Sequence, residues 1–292
     1  MAKIKSTHGT YPSPERQNRW VGIIFFMIIH AVGIVGTPLY LLYYGASTAE
    51  WVLFLAYVSL TSLAITVGYH RLFAHVTYKT NAFVRFLLLF FGAATFEQSA
   101  LKWASQHRQH HQFTDTSWDP YDIKRGFWYA HVGWILFWKH RVNYDNVPDL
   151  KRSALVMNQH ELYSLWSVGA GLGLPMLIGF LMGRPLGVFI MTVCLRLILV
   201  MHSAFFINSY AHMVGSRGYD AHISARDHWL GAILTNGEGY HNFHHQFPTD
   251  YRNGICWYHW DPSKWLIFAL SKLHLTRDLK KTSAHLLRTP AI

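Results

Sequence analysis

"AFVRFLLLFFGAATFEQSA", residues 82–100, is long and apolar enough to cross a bilayer, and whether it crosses decides the topology of the whole chain. Four other apolar runs share that property, at about 20–43, 50–69, 163–182 and 186–209. Each is close to the roughly 20 residues a helix needs to traverse hydrocarbon. Histidines cluster at His70 and His75, at His107, His110 and His111, and between His212 and His245. The 82–100 run lies between the first two clusters, so if it crossed they would face opposite water phases and could not share a site. It also carries Arg85 and Glu97 and is broken by Gly92. The run is therefore predicted to lie at the interface or against the protein. Four crossings remain, in two hairpins turned by "ASTAE" (46–50) and "MGRP" (182–185).

The expected fold is all-α, in a single domain over 1–292: four transmembrane helices, an interfacial helix at about 82–100, and a helical cap formed by 70–160 and 210–292. This places both termini and every histidine cluster on one face. Lys3, Lys5, Arg16 and Arg19 lie there, with Lys264, Lys272, Arg277, Lys280, Lys281 and Arg288, while the opposite turns are nearly free of positive charge. The positive-inside rule then predicts a cytoplasmic face.

Composition agrees with a multi-pass membrane protein: 51% hydrophobic, 16% aromatic and 14% charged residues in a chain of 292. The net charge of +11 flanks apolar segments, which argues for membrane topology and against nucleic acid as the partner. Cys194 and Cys256 are too isolated to suggest a disulfide framework, so a reducing compartment fits. The polar arm before the first run has no small-residue cleavage pattern, so that run is expected to stay in the membrane. No internal repeat or low-complexity tract is visible.

"HRQHH" (107–111) and "HNFHH" (241–245) share the spacing H-x-x-H-H. On a helix, positions i, i+3 and i+4 fall on one face, so the three imidazoles converge. With 20 histidines in the chain, one such motif arises by chance roughly 0.1 times. Two, with "HRLFAH" (70–75) directly after an apolar run, point to metal. Asn208 and His212 in "NSYAH" are also four apart, at the end of the last crossing. His70 and His75 are five apart, about 140° round an ideal helix, so they need a break between them or two different ions to serve.

Imidazole suits zinc, copper, iron and nickel alike. A zinc site takes four ligands, or three when catalytic, and nine clustered histidines exceed what two zinc ions need. Two ions of higher coordination number fit better, and two irons would hold and activate dioxygen. Soluble di-iron bundles use two Glu-x-x-His motifs, but this chain offers one, Glu238 to His241. An all-histidine shell is the reading. Glu97, Asp115, Asp119, Asp227 and Glu238 are candidates to accept the second ring N–H of a ligand, a helix cap or surface ion pair being the plain alternative for each.

At these residues the sequence resembles the membrane fatty-acid desaturases, in particular the acyl-CoA Δ9, stearoyl-CoA type. The resemblance runs from about Gly68 to Trp260 and rests on "NSYAHMVGSRGYD", "GEGYHNFHHQFPTDYR" and "DPYDIKRGFWYAHVGW". It implies four transmembrane helices under a cytosolic cap holding two irons. The ligands it implies are His70, His75, His107, His110, His111, His212, His241, His244 and His245, with Asn208 acting through a water. The implied reaction removes two hydrogens from a saturated acyl chain, using dioxygen and two electrons, and leaves a cis double bond.

The chain also departs from that pattern. Animal acyl-CoA members have Arg-Asp where Ser105 and Gln106 stand, and a basic pair where Trp138 and Lys139 stand, which leaves Lys139 as a phosphate contact. A Thr-Trp pair that bends the acyl chain is replaced by Ala204 and Phe205. CoA as the carrier and the bond position follow less directly than the reaction type.

An unactivated methylene C–H is not acidic, so abstraction of a hydrogen atom is the route. The substrate must be held bent in a tunnel that excludes water. Trp103, Phe96, Phe205 and Phe206 are placed to line it, ordinary core packing being the alternative. No haem, flavin or iron–sulphur motif is visible. Electrons are expected from an acidic carrier, a ferredoxin or a cytochrome b-type protein with its reductase, docking on the basic face. That charge has a second use in meeting anionic lipid.

Most of the remaining histidines, His131, His140, His202, His222, His228 and His259, are expected to make ordinary polar contacts; His30, inside the first apolar run, is either functional, as an ionisable group there is by default, or a neutral hydrogen-bonded imidazole. A membrane hydroxylase or alkane monooxygenase would use the same scaffold. A metal transporter or sensor would place ionisable groups along the spans, which hold chiefly His30, Arg196 and His202.

Overall fold

A computed structural model describes residues 19–137 and 142–287. Four helices are long and apolar enough to cross a membrane: Trp20–Tyr43, Thr48–Ala74, Tyr163–Leu181 and Pro185–His212. The spans are those read from the sequence, but the second and fourth run further toward the histidine clusters. Each contains a stretch of wider π winding, at Val32–Gly36, Ala64–Ala74, Gly169–Gly173 and Val188–Leu195.

The ends remote from the histidines are tied together by one buried carboxylate. Ser47 and Glu50 form a capping box, the Ser47 hydroxyl accepting from the Glu50 amide and the Glu50 carboxylate from the Ser47 amide. Glu50 also accepts from the Tyr40 hydroxyl at 2.6 Å and lies 3.4 Å from Arg184 of the other turn. A side chain at Gly187 would overlap Glu50 Oε1 at 1.8 Å, so glycine there lets the fourth span approach the first hairpin. The charge of Arg184 is thus paired, which keeps that end without net positive charge.

Ala82–Ala93 is an apolar helix too short to cross. Asn81 caps it, accepting from the Val84 amide at 2.9 Å. It stops short of the expected 82–100: the chain turns with Phe96 and Gln98 in the left-handed region, at φ 58 and 80. Ser99 then caps a second helix, Ala100–Phe113, through the Lys102 amide at 3.3 Å. This second helix carries the middle histidine cluster. A two-stranded ladder, Lys79–Thr80 against Thr276–Arg277, is a small addition to the all-α expectation and fastens the C-terminal segment beside the first cluster.

Candidate metal centre

His70 lies inside the π-wound segment Ala64–Ala74, and His75 follows it, its amide donating to the His70 carbonyl at 3.1 Å. In that winding each amide bonds to the fifth carbonyl back, so residues five apart share a face. This corrects the sequence reading, which asked for a break or for two ions: the two rings stand 4.9 Å apart and belong to one group.

That group is His70, His75, His107, His111 and His244; a second is His110, His212, His241 and His245. In each, one ring nitrogen per residue lies within 4.8 Å of all the others. The nine imidazoles come from the second span, the Ala100–Phe113 helix, the end of the fourth span and the short helix His241–Gln246. His111 and His245 stack face to face at 4.2 Å, joining the groups.

Their Nε2 atoms face one another at 2.8 to 3.2 Å. When neutral, His70 and His110 can only accept in these contacts. Their Nδ1 atoms stand 2.7 Å from Glu238 and 2.8 Å from Asp119, so each ring places its proton at Nδ1 and turns a lone pair inward. Inward-facing lone pairs repel unless a cation sits among them. Nitrogens about 2.1 Å from an ion stand about 3.0 Å apart at right angles and about 3.4 Å apart in a tetrahedron. The spacing fits six-coordinate ions better than zinc, with one position left over in the first group and two in the second.

The fatty acid desaturase family profile matches residues 46–277. The chain belongs to the fatty acid desaturase family. It is 41% identical over 231 residues to Acyl-CoA desaturase 1 of Saccharomyces cerevisiae, covering 78% of this chain and 45% of that protein. It is 34% identical to Stearoyl-CoA desaturase 4 of Mus musculus, covering 93% and 78%, and 34% identical to Stearoyl-CoA desaturase of Homo sapiens, covering 93% and 77%. The chain spans about half the length of its fungal relatives from Schizosaccharomyces pombe and Saccharomyces cerevisiae, 54% and 45%.

In this desaturase-family protein three of the five candidate carboxylates orient imidazoles. Glu238 holds His70, Asp119 holds His110, and Asp115 accepts from the Ser224 hydroxyl, which lies 2.7 Å from His212 Nδ1. Asp227 instead accepts from the Asn242 and Phe243 amides at 2.7 and 3.1 Å and caps the His241–Gln246 helix. Glu97 instead faces a cavity, its Oε1 without a partner among the described residues.

That cavity, about 510 Å³, is lined by His70, His107, Asn208, Trp103, Phe205 and Glu97 among others. Ala204 and Phe96 line it too, whereas Phe206 packs on His131 at 4.8 Å and is not part of the wall. Ser105 is buried and donates to the Asn143 carbonyl, while Gln106 lines the cavity. Lys139 and His140 lie outside the described residues.

Sequence reasoning missed Arg71, fully buried beside His70. It lies 2.9 Å from Glu238, 2.9 Å from Asp261, and donates to the Tyr251 carbonyl at 2.8 Å. Only its place next to His70 could have flagged it. The pairing also missed a chain of rings outside the centre: His30 meets His202 at 3.0 Å, His202 meets His131 at 2.8 Å, and His131 meets Ser209 at 2.9 Å. Each ring there uses its two nitrogens on different neighbours, so nothing converges and these are the polar contacts expected.

Burial, reinforced by neighbouring imidazoles, pushes His75, His107, His111, His241, His244 and His245 well below the usual histidine range. Burial opposes the charge of Glu238, but His70 and Arg71 hold its carboxyl down at about 2. For these histidines the folded chain binds fewer protons than the unfolded one below about pH 6.5, so stability rises with pH there. The metal-free protein should therefore lose stability progressively as pH falls from 7 to 5. Denaturation midpoints across that range check it; a flat profile would mean the rings are not held neutral.

Proposed function

We propose that this protein is an oxygen-dependent acyl desaturase that inserts a cis double bond at Δ9 into a long saturated chain carried as an acyl-CoA thioester. The observation that supports this most is the opening of a mainly apolar cavity onto the first imidazole cage, at His70 and His107. The names of its relatives, acyl-CoA and stearoyl-CoA desaturases, support the substrate class.

Two irons are the proposed ions: His70, His75, His107, His111 and His244 would hold one, and His110, His212, His241 and His245 the other. Asn208, which faces the cavity, would contribute through a water. The chemistry such ions supply is activation of dioxygen by electrons delivered one at a time. The residues do the rest. Glu238 and Asp119 fix ring orientation, a role whose loss costs about 10- to 100-fold in metal affinity or activity. Trp103, Phe205 and Ala204 confine the acyl chain against His107. The wall around the acyl chain keeps water away from the two adjacent carbons that lose hydrogen. Burial pushes Glu97 up to about 8, so near neutral pH it presents a protonated carboxyl to this wall rather than a charge.

The deciding experiment is turnover of a saturated acyl-CoA by the purified protein with iron, dioxygen and an electron donor, with products located chemically. A single cis olefin is expected; an alcohol would assign the chain to hydroxylation instead. Electrons are assigned to a small acidic ferredoxin or cytochrome b-type carrier, reduced by its own reductase, on a face taken as cytoplasmic. Donor-dependent turnover should fall as salt rises from about 50 to 500 mM, because screening weakens attraction between exposed charges. Salt-independent turnover would leave the +11 charge to the lipid surface.

A further inference from the structure

Arg196 is the only Asp, Glu, Lys or Arg within the fourth span, Pro185–His212, and it is completely buried. An ionisable residue at that depth usually pairs with another charge or serves function. The acceptors found for it are instead three backbone carbonyls: Thr192 at 2.9 Å on its own helix, Ala94 at 2.6 Å and Gly171 at 3.1 Å. Its guanidinium also sits 5.8 Å from the Tyr57 ring centroid.

These carbonyls have a common address. Ala94 is the C-cap of the Ala82–Ala93 helix, whose last carbonyls lack helical partners and carry the negative end of its dipole. Gly171 belongs to the π-wound stretch of the third span. A side chain at Gly171 would meet the Phe96 ring at 2.5 Å and the Ala94 carbonyl at 2.9 Å. The turn after Ala94 is thus seated on Gly171 from one side and fastened by Arg196 from another. Phe96, Glu97 and Gln98, which line the cavity, ride on this turn. Two of them hold the left-handed backbone that non-glycine residues adopt only when their surroundings impose it. Phe96 also packs on Phe25 of the first span, centroids 5.1 Å apart.

We propose that Arg196 is a positioning residue: by holding the Ala94–Gln98 turn it sets the cavity wall that fixes which carbons of the acyl chain lie against the ions. This rests on the reading of the cavity as the acyl site. Arg196 touches no reacting atom. Its effect travels through the placement of Phe96, and a shift of about 1 Å in such a wall is enough to cost about a hundredfold in rate.

The test compares Arg196→Met, Arg196→Lys and Gly171→Ala in the full-length, iron-loaded protein, measuring kcat, KM and the position of the double bond. Arg196→Met should lower kcat more than it raises KM and spread the bond over neighbouring positions. Arg196→Lys, which keeps the charge, should recover part of the turnover with an intermediate product spread. Gly171→Ala leaves the guanidinium intact but displaces Phe96, so it should spread the products as well. If Arg196→Met does not fold, Gly171→Ala still decides. A single unshifted bond position in Arg196→Met, or in a folded Gly171→Ala, would overturn the inference and leave Arg196 a purely structural anchor. No olefin from the wild type would instead overturn the acyl reading itself.

Discussion

His244→Ala is expected to empty the first cage and to lower turnover by about a thousandfold or more, equivalent to about 4 kcal/mol of lost barrier reduction. Its Nε2 lies 2.9 Å from that of His70 and 3.0 Å from that of His111. It therefore joins the second span to the Ala100–Phe113 helix. It lies outside all four spans, so the variant should still insert in the membrane. Metal analysis beside turnover checks the result, and His111→Ala should repeat it. Normal turnover with depleted iron would rule out the two-iron mechanism; loss of turnover with full metal content would mean that the ring acts on substrate rather than on an ion.

Arg71→Met should be the most damaging change to stability outside the imidazoles. It leaves Glu238 and Asp261, both buried within 3 Å of the lost guanidinium, as uncompensated charges. Breaking a buried pair in this way costs about 3–5 kcal/mol. The effect should reach the metal centre, because the Glu238 that Arg71 holds also holds His70 Nδ1. Denaturation midpoints with and without metal should both fall, and metal affinity should drop with them. Adding Glu238→Gln to Arg71→Met should cost less than the sum of the two single changes, because the residues share one network. Full additivity would show that Arg71 and Glu238 act independently.

Much of the architecture was legible because it is written locally. A crossing helix is a run of apolar residues, and the demand that the histidine clusters meet was enough to set the 82–100 run aside, although the helix proper ends at Ala93. The two H-x-x-H-H motifs likewise converge by helical geometry alone. His70 and His75 were harder, because π winding replaces the 100° step that spacing arguments assume, and nothing in "HRLFAH" announces it. The carboxylates show a different limit. Asp119, Asp227 and Glu97 look alike as residue types near histidines, yet one orients a ring, one caps a helix and one faces the cavity. Which it is depends on where segments far apart in the chain come to rest.

The sequence by itself determined the four spans, the single face that carries the histidines, and the chemical type of the donors, since each follows from composition and from spacings within one turn or one helix. Only the tertiary structure decided how nine imidazoles divide into five and four, which carboxylate serves which ring, and how Arg71 and Arg196 are compensated. Many of those contacts join segments far apart in the chain, such as Arg71 with Glu238 and Asp261 or Arg196 with Ala94, and the energy of a buried charge or lone pair depends on what lies within a few ångströms of it, whatever lies beside it in sequence.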